Sequence, residues 1–90
     1  MTPVIFRRWR GRGGEVFALF PTLAAGDGCV TSYQHVGQHD AANYALCMAK
    51  SRPALALEYA ELLKELRKIG YDDLEIHRRR QPWMRPKKEG

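Results

Sequence analysis

The densest run of side chains able to do chemistry is Ser32-Tyr33-Gln34-His35-Val36-Gly37-Gln38-His39-Asp40. It reads as a strand end entering a helix, with Asp40 as the helix N-cap. A helix N-terminus presents unpaired N–H groups and favours anions. His35, Gln38 and His39 are therefore candidates to orient a phosphate or a nucleobase, with Tyr33 stacking on the base. The same side chains also suit a hydrogen-bonded turn in which the histidines brace the loop. The sequence leaves both readings open.

His35 and His39, with Cys29 and Cys47, would supply the four N/S ligands that tetrahedral zinc takes. Gly37 interrupts any helix that would align the histidines, and no Cys-x-x-Cys pair anchors the set, so no metal or other cofactor is expected. A nucleophilic arrangement would pair Cys29 with His35 or His39 and orient the imidazole with Asp40. No motif surrounds Cys29, and a small metal-dependent or Cys/His enzyme is kept only as an alternative. The two cysteines read as reduced thiols. Gly11-Arg12-Gly13-Gly14 lacks the Gly-Lys-Ser/Thr of a phosphate-cradling loop and reads as a hairpin turn.

A second set of candidates is basic. Arg7, Arg8, Arg10 and Arg12 lie near the start, Arg78, Arg79 and Arg80 near the end, with Trp9 and Trp83 among them. Arginine interleaved with aromatics suits phosphates and stacked bases. Charged edge strands that discourage aggregation are the plainer explanation. Arg7, Arg8, Trp9, Arg78 and Arg79 are taken as ligand-binding candidates beside Tyr33, His35, Gln38 and His39. The net charge of +5 is carried mostly by residues 1–20 and 71–90, while residues 21–50, which hold the His/Gln run, are slightly acidic. The two basic segments form one face only if they are neighbours in space.

The elements that must position these residues are few. Val4–Arg10 and Glu15–Phe20 read as a hairpin around the glycine-rich loop, with Val4, Phe6 and Arg8 on one face and Ile5, Arg7 and Trp9 on the other. Pro21 is expected to end the second strand. Cys29–Val36 reads as a third strand and Ala41–Ala49 as a short helix. From Pro53, Leu55, Tyr59, Leu62, Leu63, Leu66 and Ile69 recur at helical spacing, and Gly70 stands where a C′ glycine belongs. Tyr71–Arg79 reads as a last strand. The expected fold is α+β, in the order β-β-β-α-α-β, with an antiparallel sheet of about four strands and both helices on one face. Residues 1–80 form the domain and 81–90 a loose basic tail.

Ninety residues leave room for one small core, which favours self-association and argues against an enzyme enclosing a large cofactor. No apolar run approaches the roughly 20 residues a bilayer crossing needs. Arg7, Arg8 and Arg10 interrupt the one N-terminal stretch able to start a secretory signal. A cytoplasmic protein is expected.

The run Ser-Tyr-x-His-x-Gly-Gln-His over residues 32–39 carries a resemblance, together with Val4-Ile5-Phe6-Arg7, Ala18-Leu19-Phe20-Pro21 and Ile69-Gly70-Tyr71. It resembles a family of small, mostly uncharacterised proteins of bacterial mobile elements and phages. The resemblance spans most of residues 4–79 and implies a bacterial host cytoplasm and a signature made of Tyr33, His35, Gly37, Gln38 and His39. It brings no activity with it. Such a setting suggests an anti-defence role, either sequestering a nucleotide second messenger or docking through a basic face on a host defence protein or nucleic acid.

Overall fold

The computed structural model describes residues 1–11, 14–25, 29–34 and 38–84, and for Gln38 and His39 the backbone alone. Its elements are β1 (Thr2–Trp9), β2 (Val16–Ala24), β3 (Val30–Gln34), β4 (Gln38–Ala42), α1 (Tyr44–Ala49), β5 (Ser51–Pro53), α2 (Ala56–Lys68) and β6 (Leu74–His77). Among the described residues the sheet has six strands, in the order β4-β3-β2-β1-β5, with β6 also pairing β1. The expected four-strand sheet is therefore corrected to a mixed, six-stranded one. Four pairings are antiparallel and the β1–β6 pairing is parallel.

Both missing strands have physical reasons. The segment expected to run from a third strand into a helix turns back instead, so that Gln34 pairs Gln38, Tyr33 pairs His39 and Ser32 pairs Asp40. Asp40 is consequently a strand residue, and Asn43 is the N-cap, its side chain accepting from Leu46 N at 3.0 Å. The three-residue β5 is too short to leave a periodic pattern and forms because β1 offers an open edge to Ser51, Arg52 and Pro53. Pro21 does not end β2, which continues to Ala24 through a register shift between Phe20 and Ala24. An irregularity of this kind is where a sheet tolerates proline.

The helices lie on opposite faces, not on one. One core cluster joins Val4, Phe6, Ala18, Phe20 and Tyr33 to Leu62 and Leu66 of α2. The other joins Ile5, Phe17, Leu19 and Val30 to Cys47 of α1. Residues 4 and 6 in one cluster and 5 in the other are the period-two signature of two faces. The α2 face is the deeper packing: Leu66 is fully buried, Phe6 stacks on Tyr59 and Phe20 on Tyr71. Leu55 and Ile69, counted with that stripe from spacing, are exposed beyond its ends. The helix closes with Tyr71 N donating to Leu66 O and Gly70 N to Arg67 O. That double closure requires the positive φ that Gly70 adopts, +120°.

β5 and β6 share one edge of β1 end to end. β5 pairs with Arg7, Arg8 and Trp9, and β6 with Thr2 through Ile5. At Phe6, whose carbonyl accepts from Ala54 N at 3.1 Å, the chain leaves the sheet for α2. Gln81–Met84, assigned from sequence to the tail, form a turn in which Met84 N donates to Gln81 O and Met84 is buried.

Candidate binding site at the split sheet edge

The parallel pairing of β1 with β6 sets Ile5 opposite His77, and Arg78–Arg79 follow β6, while the edge of β1 beside Arg7 and Arg8 is taken by Pro53 and Arg52 of β5. Neighbouring backbones do not by themselves make a shared cationic surface, because the sheet sends successive side chains to opposite faces.

Arg7 goes to the α1 face and into the protein. It is 6% exposed, with Nε donating to Ser51 Oγ at 2.9 Å and Nη2 to Ser51 O at 2.6 Å and Met48 O at 3.1 Å. These acceptors include a last-turn carbonyl of α1, where a helix has orphan acceptors and a negative dipole end. Burial lowers the Arg7 pKa, countered by Tyr44 and reinforced by the nearby charge of Arg10. Arg10 Nε also points to Ser51 O, at 3.3 Å. Trp9 lies on the same face, stacked on Phe17 with centroids 4.1 Å apart. This arginine set closes the helix and the β5 turn, and as a ligand site Arg7 is buried and occupied.

Arg8 goes to the α2 face and meets a residue that sequence reasoning missed. Its Nη1 donates to Glu58 Oε2, while Arg52 donates to both Glu58 oxygens at 2.9 and 2.7 Å. Glu58 Oε1 also accepts from Leu55 N at 2.8 Å, the N3 contact that starts α2. Hydrogen bonds from Arg52, Leu55 and Arg8 hold the Glu58 carboxyl well below the usual carboxylate range, and the same pairing raises Arg52. Two guanidiniums on one carboxylate leave the cluster cationic. A Cβ at Gly14 would come within 2.8 Å of Arg8 Nε, so the glycine lets the second hairpin arm lie against this side chain.

Between the end of β5 and the end of β6 lies a cavity of about 240 Å³. Phe6 and Tyr59 line it from the sheet and α2, Ala54 and Leu55 from the β5–α2 link, and Ile76 and Arg78 from β6 and beyond. Arg52 Nη1 donates to Pro53 O of the same wall at 2.9 Å. Arg78 and Arg79 are exposed and form no ion pair with any described carboxylate. Arg80 instead lies over the Tyr44 ring, 4.4 Å from its centroid, with its backbone N donating to the Tyr44 hydroxyl.

The remaining predicted residues are dispersed. Tyr33 is fully buried in the α2-side core and its hydroxyl donates to Glu65, so no face of its ring is offered to a base. His35 lies outside the described residues. Gln38 and His39 are placed by their backbones on β4, at the opposite edge of the sheet from β5 and β6. The described residues of the signature run are therefore paired strand, not a helix entrance, and the helix-dipole argument for an anion there does not apply. Among the described residues no group of three or more His, Cys, Asp or Glu is placed to hold a metal. Cys47 is buried, which pushes its thiol pKa up and disfavours the nucleophilic thiolate, with Cys29 adding to the shift. Among the described residues no helix is long and apolar enough to cross a membrane.

Arg52 and Glu58 could have been found from sequence by one signal, a glutamate at N3 behind an apolar helix start with an arginine just before it. The cavity could not, since it exists only because two strands share one edge. No family model, curated protein or solved structure matches this chain.

Proposed function

We propose that this protein is a non-enzymatic binding module for a phosphate-bearing ligand, a nucleotide being the form that fits best, held at the split edge of β1. The observation that supports the reading is that β5 and β6 share one edge of β1, so that Arg78 lines a cavity with Pro53, whose carbonyl accepts from Arg52, the arginine that shares the Glu58 carboxylate with Arg8. Guanidinium groups with unspent donors are suited to phosphate oxygens, which they can engage two at a time.

The resemblance of the Ser-Tyr-x-His-x-Gly-Gln-His run to mobile-element and phage proteins supplies a setting for such a module, the removal of a nucleotide signal from host defence. A melting experiment with nucleotides of one, two and three phosphates tests the reading. Ligand that binds the folded state raises the midpoint with concentration. The Arg78→Gln/Arg79→Gln double variant should lose that rise. A response only to oligonucleotides, falling steeply with salt, would move the ligand class to nucleic acid. No response to either would leave the basic face to a protein partner.

A further inference from the structure

We propose that the cavity between β5, α2 and β6 is a base pocket: it takes one planar heterocycle whose attached phosphate reaches Arg78 and Arg79. The inference rests on the phosphate-binding reading above and names the part of the ligand that reading leaves undefined. Three observations carry it. The first is size. A cavity of about 150 Å³ admits a benzene ring, and this one, at about 240 Å³ and open to solvent, is large enough for a planar ring system.

The second is lining. Phe6 and Tyr59, stacked nearly parallel with centroids 4.4 Å apart, line it together with Pro53, Ala54, Leu55, Ala56 and Ile76, and His77 and Arg78 complete the lining. Leu55 and Ile76 stand 63% and 42% exposed at its mouth, so a flat apolar ring would remove them from water. The third is charge. Arg78 lines the cavity and forms no ion pair with a described carboxylate, beside His77, which is held by Glu75 at 2.6 Å, while Arg52, paired to Glu58, donates to the Pro53 carbonyl of the β5 wall. A largely apolar slot with the Arg78 guanidinium at its rim matches a ring bearing an anion, and neither a neutral aliphatic chain nor an acidic peptide uses both features.

Titration calorimetry with the full chain separates this from the phosphate reading, using each of the four nucleoside 5′-monophosphates, ribose 5-phosphate and the free nucleosides. At least one monophosphate should bind about tenfold or more tighter than ribose 5-phosphate, the size of one base–aromatic contact. Ile76→Trp, at a half-exposed strand position, should fill the mouth and bring that monophosphate down to the ribose 5-phosphate level without changing ribose 5-phosphate itself. Ala54→Leu should do the same from the other wall, and circular dichroism melts identify whichever variant fails to fold. If the monophosphates and ribose 5-phosphate bind equally and Ile76→Trp changes neither, the pocket is overturned while the phosphate reading stands. If no phosphate compound binds, the phosphate reading fails. The pocket then survives only if a nucleoside binds and Ile76→Trp abolishes it, and falls if none does.

Discussion

Arg7 and Arg8 are consecutive residues whose guanidiniums leave β1 through opposite faces: Arg7 Nε donates to Ser51 Oγ at 2.9 Å beneath α1, and Arg8 pairs with Glu58 on α2. One side chain is an internal fastening and the other belongs to a cationic cluster that solvent reaches. Their roles are therefore separable by experiment. Arg7→Met keeps much of the buried stem but removes the donor to Met48 O and Ser51 Oγ and leaves Ser51 O only the 3.3 Å contact from Arg10. Each stranded buried acceptor costs about 1–3 kcal/mol. Urea unfolding should show Arg7→Met destabilised by about 2–4 kcal/mol, and Arg7→Lys should recover little, since an ammonium cannot fork across the same acceptors. Phosphate affinity of the folded fraction should be unchanged. A selective loss of affinity with full stability would return Arg7 to the ligand site.

Tyr33 is the signature residue whose assignment changes most. Its ring is core and its hydroxyl donates to Glu65 across the sheet–helix interface. Tyr33→Phe keeps the ring and removes the O–H, and a hydrogen bond to a charged acceptor is worth about 1.5–3 kcal/mol. Tyr33→Ala also empties the centre of the larger core cluster, a loss of about 3–5 kcal/mol by analogy with other buried aromatics. Thermal and urea unfolding should rank the two in that order. Tyr33→Phe, correctly folded, should bind nucleotide like the parent, whereas a base-stacking role would require Tyr33→Ala to lose affinity beyond its loss of folded protein.

Legibility of the sequence followed the range of the interactions involved. The alternation in Val4–Trp9 correctly divided the strand between two faces, because a period of two is a local property of the chain. The α2 stripe and its closing glycine were equally readable, and Leu62 and Leu66 are buried as their spacing required. What could not be read was pairing at a distance. The identity of β5 depends on a vacancy beside Arg7–Trp9, and that of β4 on a reversal whose turn lies outside the described residues. A strong local signal, Asp40 before an alanine-rich run, pointed to a helix that starts four residues later, at Tyr44. The candidate site suffered for the same reason. Of the residues chosen for their chemical type, Arg78 lines the cavity and the other described ones do not, while alanine, leucine, isoleucine and proline that no motif search would select make up much of its wall.

Gly70 gives a test of one local feature with nothing else mixed in. It sits at φ +120°, and a Cβ there would meet no heavy atom within 4 Å. Gly70→Ala therefore reports backbone strain alone. Alanine at a positive φ should destabilise by about 1 kcal/mol or somewhat more, visible as a lower urea midpoint with an unchanged slope. A neutral result would mean that α2 closes without the Leu66–Tyr71 bond.

Glu58 ties stability to affinity with opposite signs. It is the common acceptor for Arg8, Arg52 and Leu55 N, so Glu58→Gln should lower the melting midpoint by weakening the start of α2 and its tie to β1. The same change removes the one carboxylate that occupies the two guanidiniums, so the variant should bind phosphate more tightly than the parent. The pH dependence follows from the depressed pKa of Glu58. A carboxyl held ionised by the fold contributes stability at all pH values above its unfolded pKa, near 4.3, and that contribution is lost as pH falls below it toward the folded value. Melting curves from pH 6 down to about pH 2 should therefore fall more steeply for the parent than for Glu58→Gln, the two converging at the acid end. Parallel curves would show that Glu58 is not a stabilising partner of Arg8 and Arg52. Unchanged phosphate affinity in Glu58→Gln would separate those arginines from the binding site and leave Arg78 and Arg79 to carry it alone.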